Sequence, residues 1–116
     1  MNQFKDEMKE IADSITENAL IAMNENNYSR FSEDFDEKMK NVLNEVKYQE
    51  TIPEIKDEIG NYISKELVSA TRNDQFTIVI YKAKFTEPVD VYVKNILSEN
   101  NGKYYISGFL LLPKCP

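Results

Sequence analysis

The sequence predicts an α+β fold, with helices first and an antiparallel sheet after them, on three observations. Apolar residues in the first half recur at spacings of three and four, and those in the second half at spacings near two. Charge divides at the same place: residues 1–60 carry 15 acidic and 7 basic side chains, net −8, whereas residues 61–116 carry 5 and 7, net +2. A chain of 116 residues that is 41% hydrophobic also suits one domain, spanning 1–116.

Three N-terminal helices are expected, at about 2–24, 30–47 and 52–59. In the first, Phe4, Met8, Ile11, Ala12, Ile15, Ala19 and Met23 form one apolar stripe, with Asp13 and Glu17 largely off it. The polar run Asn24-Glu25-Asn26-Asn27 stops it. Ser29 or Ser32 can cap the second helix, whose apolar side is Phe31, Phe35, Met39, Val42, Leu43 and Val46, and its early acidic residues suit the helix dipole. For the third, Thr51-Ile52-Pro53-Glu54 reads as a capping box with proline in the first turn, and Gly60 as the stop. Ile52, Ile55 and Ile59 would pin it to the sheet.

Strands are expected at about 62–72, 75–86, 89–99 and 103–112, in a meander. Asn101-Gly102 favours a type I′ hairpin, which would set Leu97 opposite Ile106, Asn95 opposite Gly108 and Val93 opposite Leu110. The inner side of the second strand is then Thr77, Val79, Tyr81, Ala83 and Phe85, provided the loop at Pro88 is odd in length. An even loop would send Lys82 and Lys84 into the core. Strands this long should curve, and Gly108 permits a bend or bulge. The expected architecture is a half-open cone, with three helices on a curved four-stranded antiparallel meander.

Composition removes several classes of chemistry. The chain has no histidine, which excludes a histidine-based triad, metal site or general base. Its one cysteine, Cys115, cannot form an intrachain disulfide and reads as an exposed terminal thiol. A net charge of −6 argues against a nucleic-acid partner. Leu110-Leu111-Leu112 is too short to span a membrane. The acidic residues of the second helix lack the spacing of a calcium loop and read as a solvated surface. Asn27-Tyr28-Ser29 matches a glycosylation sequon, a pattern that is often accidental.

The polar residues on the expected inner face make the candidate ligand site. With a Glu87-Pro88-Val89 loop, Tyr81 and Asn95 become cross-strand neighbours, with space beside Gly108. An Asn73-Asp74 turn would place Glu66 opposite Tyr81, so that a carboxylate, a phenol and an amide converge inside the cone. A shift of one residue in that hairpin would substitute Leu67 and remove the carboxylate. The ordinary structural reading is that Tyr81 reaches solvent at the cone mouth and Asn95 bonds a bulge. On the outer sheet face, Tyr92, Ile96, Tyr105, Phe109 and Leu111 form a patch large for a monomer to expose.

The order of Asn-Asn-Tyr-Ser-Arg-Phe, Phe35-Asp36-Glu37-Lys38-Met39-Lys40, Gly60-Asn61-Tyr62, Val79-Ile80-Tyr81-Lys82-Ala83-Lys84-Phe85 and Ile106-Ser107-Gly108-Phe109 resembles a prokaryotic domain of unknown function, the 3887 type. That resemblance, over most of residues 12 to 112, implies a nuclear transport factor two-like, or cystatin-like, cone fold. Its motifs are packing positions and imply no catalytic signature. Members often follow a signal peptide or lipoprotein anchor, whereas the N-terminus here reads as an amphipathic acidic helix without an apolar signal segment. The sequence as it stands points to the cytoplasm; a preceding leader would place the domain outside the cell or on a lipid anchor.

The expected role is a non-catalytic binding or assembly domain. It would form a homodimer through the outer sheet face, hold a small molecule or peptide near Glu66, Tyr81, Asn95 and Gly108, and use no cofactor or metal. The alternative is a small lyase or isomerase working through a carboxylate and tyrosine.

Overall fold

The computed structural model describes residues 3–116, with side chains from residue 7 onward. The expected helix start at Asn2 and the packing of Phe4 lie outside the described residues. Four helices, α1 (Gln3–Asn24), α2 (Tyr28–Phe31), α3 (Glu37–Val42) and α4 (Glu45–Ile59), precede four strands, β1 (Tyr62–Asn73), β2 (Phe76–Phe85), β3 (Val91–Asn100) and β4 (Lys103–Leu112). The strands form one open antiparallel sheet in the order β1-β2-β3-β4.

α1 buries Met8, Ala12, Thr16, Ala19, Leu20 and Met23, while Ile11 lies exposed at the margin of the stripe. The helix ends because Asn26 adopts a left-handed φ of 53°. Its N–H then donates to Met23 O, and that of Asn27 donates to Ala22 O, a Schellman closure. Asn27, the sequon residue, turns its side-chain oxygen to the Arg30 N–H and caps α2.

The expected helix over 30–47 is broken twice, which makes the helices four rather than three. Around Phe35 the chain leaves the helix to pair with β4. Ile106 N–H donates to Asp34 O at 2.7 Å, and Asp36 N–H donates to Ile106 O at 3.0 Å. This long-range pairing outweighs the helical periodicity of the segment. Asp36 then caps α3 through the Met39 N–H, and Asn44 caps α4 through the Lys47 N–H. Val42 and Val46, expected on an apolar face, are exposed.

The expected third helix is only the C-terminal part of α4. Pro53 sits inside that helix rather than in its first turn, and its missing N–H leaves the carbonyl of exposed Gln49 to solvent. Tyr48 and Ile52, one turn apart, bury the face that holds α4 in place. Gly60 ends α4 at φ 82° and ψ −149°, a region open essentially to glycine alone. A β-carbon there would also sit 1.9 Å from Thr86 Oγ1.

The sheet registers depart from the expected ones in three places. The β1–β2 turn is Asp74-Gln75, closed by Asn73 opposite Phe76, and an irregularity between Leu67 and Ser69 then sets Leu67 rather than Glu66 opposite Tyr81. The β2–β3 connection has the odd parity needed to keep Lys82 and Lys84 outside, but it pairs Tyr81 with Val93 and Asn95 with Val79. In the last hairpin Asn101 and Gly102 both take positive φ and Leu97 does face Ile106, yet a bulge at Ser107 shifts everything beyond it. Asn95 therefore faces Phe109, Ile96 faces Gly108 and Val93 faces Leu111.

That shift turns Phe109 and Leu111 inward against the core and leaves Leu110 46% exposed outside. Inner residues Val79, Tyr81, Val93, Leu97 and Ile106 share one core with residues from all four helices. Adjacent positions thus have opposite sensitivities. Phe109→Asp should cost about 3–5 kcal/mol by placing a carboxylate in an aromatic contact, whereas Leu110→Asp should change monomer stability by no more than about 0.5 kcal/mol. Urea unfolding followed by circular dichroism checks both, and equal effects would refute the bulged register. Gly60→Ala should lose about 1–3 kcal/mol from backbone conformation alone in the same assay.

Candidate functional site

Three polar residues on one side of α1, spaced by three and four positions, meet the inner face of the sheet. Asp13 Oδ1 accepts from the Tyr81 hydroxyl at 2.6 Å. Thr16 Oγ1 accepts from Asn95 Nδ2 at 2.8 Å. Glu17 Oε1 accepts from the Tyr62 hydroxyl at 2.6 Å and from Lys65 Nζ at 2.9 Å. Lys65 Nζ also lies 5.2 Å from the centre of the Tyr81 ring, a cation–π contact. The result is a carboxylate–phenol–ammonium layer between helix and sheet, with Lys9 on the solvent side of Asp13 at 3.1 Å.

Burial is deepest at the Asn95 end. Thr16 and Asn95 are 0% exposed and Tyr81 is 1% exposed, while Asp13 and Glu17 reach solvent. Burial, then the Asp13 bond, pushes the Tyr81 phenol far above its ordinary pKa, and a hydrogen bond with Thr16 opposes the rise. Burial and the Glu17 bond do the same to Tyr62. For Glu17 itself burial works upward, but the bonds from Tyr62 and Lys65 hold the carboxyl below its usual range. Asn95 Oδ1 is buried and accepts no hydrogen bond among the described residues. Such an acceptor costs about 1–3 kcal/mol.

The outer face has a different chemistry. Successive cross-strand rows read Asn73–Phe76–Ser98–Tyr105, Thr71–Ile78–Ile96–Gly108, Ser69–Ile80–Lys94–Leu110 and Glu66–Lys82–Tyr92–Leu112. The Ile96 side chain lies over Gly108, where an added β-carbon would stand 3.0 Å from Ile96 Cδ1. At one rim Ser107 Oγ donates to Asp36 Oδ2, and Ser98 and Ser107 share a 2.8 Å hydroxyl contact.

The expected ligand set is divided by these registers. Tyr81 and Asn95 lie inside, whereas Glu66 is exposed opposite Lys82 and Gly108 sits in the outer rows. The expected outer patch keeps Tyr92, Ile96 and Tyr105 and loses Phe109 and Leu111, whose places are taken by Leu110 and Leu112. Asp13, Thr16, Glu17 and Lys65 were not anticipated as partners. Their signal was the 13-16-17-20 spacing, which puts three polar side chains beside Leu20 on a stripe otherwise made of core residues.

Helices preceding an antiparallel meander, joined by an internal carboxylate–phenol layer and, among the described residues, leaving the other sheet face uncovered, define an α+β domain of helix-on-sheet type. Within that class the chain belongs to a family of proteins of unknown function, DUF3887, whose family model matches residues 12–102. The match contains every helix-to-sheet partner of the α1 layer, from Asp13 to Asn95. A comparison with curated proteins finds no match. No helix among the described residues is long and apolar enough to cross a membrane.

The buried phenols make the layer visible in alkaline titration. Burial also raises Tyr48, so three of the seven tyrosines favour the protonated form in the fold. Their contribution to stability is complete below the unfolded phenol pKa of about 10 and falls as pH rises toward the higher folded values. Absorbance at the tyrosinate band should therefore reach its full amplitude only as circular dichroism reports unfolding. Complete titration of all seven in a folded chain would contradict the geometry.

Proposed function

We propose that the domain is a non-catalytic assembly module of the nuclear transport factor two-like, cystatin-like cone type, pairing with a second copy through its outer sheet face. The observation that carries this reading is the outer grid. Phe76, Ile78, Ile80, Tyr92, Ile96, Tyr105, Leu110 and Leu112 occupy most of its central positions, and none belongs to the helix-covered core. Lys94 is the only charge in the two middle rows, and its aliphatic stem adds apolar surface.

The size of the face suits this role. Strands about 4.8 Å apart with a rise of about 3.4 Å per residue give four ten-residue strands roughly 600 Å² in projection. Side-chain relief brings the accessible area toward the ~800 Å² per partner of a standard interface. A face that meets its own copy is isologous and closes as a dimer. Both sheet edges are less suited to pairing. β1 carries two register irregularities, between Tyr62 and Ser64 and between Leu67 and Ser69. β4 is partly covered by the bridge from Phe35.

The inner layer supports a structural rather than a catalytic role. The Tyr81 hydroxyl is committed to Asp13, buried from solvent and held protonated, so it offers no base near neutral pH. Analytical ultracentrifugation tests the assembly. Wild type should sediment as a dimer, and Leu110→Asp or Ile80→Lys as a monomer with unchanged circular dichroism. A wild-type monomer at submillimolar concentration overturns the reading. Phe109→Asp is unsuitable for this purpose, because Phe109 packs inside.

A further inference from the structure

We propose a second site, for a small aliphatic amine, in the groove where the end of α4 meets the β2–β3 loop and the end of β4. The groove encloses about 310 Å³, at the small end of the roughly 300–1,000 Å³ typical of ligand pockets. Its apolar lining is Ile55 and Ile59 of α4, Val91 of β3, Leu111 and Leu112 of β4, and Pro113. Val89, at the tip of the loop, remains 46% exposed at the lip.

The groove is built on tied elements. Glu87 N–H donates to Ile59 O at 3.1 Å, and Thr86 N–H donates to Asn61 O at 2.9 Å, which fastens the loop to the residues closing α4. The Asn61 N–H in turn donates to Thr86 Oγ1. A site held this way keeps its shape before a ligand arrives, so less ordering is required on binding.

Its electrostatics select the head group. Glu58 and Asp90 line the groove, and neither forms an ion pair among the described residues. The C-terminal end of α4 adds the negative pole of its dipole. Lys56, the one basic residue of the last helical turn, is turned away to Asn24 O at 3.2 Å. Two carboxylates and a helix C-terminus around an apolar trough fit a chain with a hydrocarbon body and an ammonium head, and disfavour an anion. This site borders the outer sheet face at Leu112, which lines the groove and ends one outer row, and it does not depend on self-association.

Titration of isotope-labelled protein with octylamine, octanol and octanoate, followed by amide NMR, tests the assignment. Octylamine should shift amides in residues 55–60, 88–91 and 111–113 and bind about three- to tenfold tighter than octanol, as expected for two partly solvated charge contacts; octanoate should be weakest. The Glu58→Gln, Asp90→Asn double variant, altered only at exposed side chains, should bind octylamine and octanol alike. Equal affinities in wild type, shifts outside these segments, or no saturable shift would each overturn the proposal.

Discussion

The extra residue in β4 decides which half of the last strand faces inward. Without the bulge at Ser107, Leu110 and Leu112 would continue the inner face begun by Ile106, and Phe109 would point outward. With it, Phe109 lies edge-on to Phe31 at 5.6 Å, and Phe31 meets Phe35 at 5.3 Å and Tyr48 at 5.1 Å. One aromatic cluster thus joins β4, α2, the β4-pairing segment and α4, each contact contributing about 0.5–1.5 kcal/mol beyond simple burial. The bulge is held from both sides. Asp34 and Asp36 bracket Ile106 through the backbone, and Asp36 accepts the Ser107 hydroxyl while its other oxygen caps α3. A single aspartate therefore links the start of a helix to the register of a strand.

The α1 layer sets orientation more than affinity. Burial of Met8, Ala12, Ala19, Leu20 and Met23 supplies the non-directional attraction between helix and sheet. Asp13 and Glu17 are partly exposed, so solvent screens much of the benefit of their bonds. Their value lies in the alternatives they exclude. Sliding α1 by a turn would leave the Tyr81 hydroxyl and the Asn95 amide buried without partners, at about 1–3 kcal/mol each. Polar contacts of this kind make one packing preferable to others that would bury similar apolar area.

Local rules were legible where the responsible atoms are near in sequence. Asn101-Gly102 specified its hairpin, Gly60 specified a helix end, and alternation from Thr77 to Phe85 placed that strand's inner face. The halves of unlike charge and periodicity marked the division between helices and sheet. What escaped depended on distant partners. The break around Phe35 follows from pairing with Ile106, about seventy residues away, and the bulge at Ser107 from Asp36. Each bulge shifts a register by one residue, and with a side-chain period of two that is enough to carry Glu66 out and Phe109 in. Capping chemistry misled at Thr51-Ile52-Pro53-Glu54, because the tertiary contacts of Tyr48 and Ile52 carry the helix through the proline.

The charge asymmetry of the sequence also constrains how copies of the chain can meet. Fifteen of the twenty acidic residues precede Gly60, so two helical layers brought face to face would set net charges of −8 against each other. The sheet half, at net +2, carries little of that penalty. Its edges are irregular at β1 and bridged at β4, which disfavours growth by strand addition and the open-ended assembly that follows from it. Repulsion on one side and blunted edges on two others leave the apolar outer face as the surface with least opposing its approach to a copy. An interface there would close on itself, so the proposed association would stop at a pair.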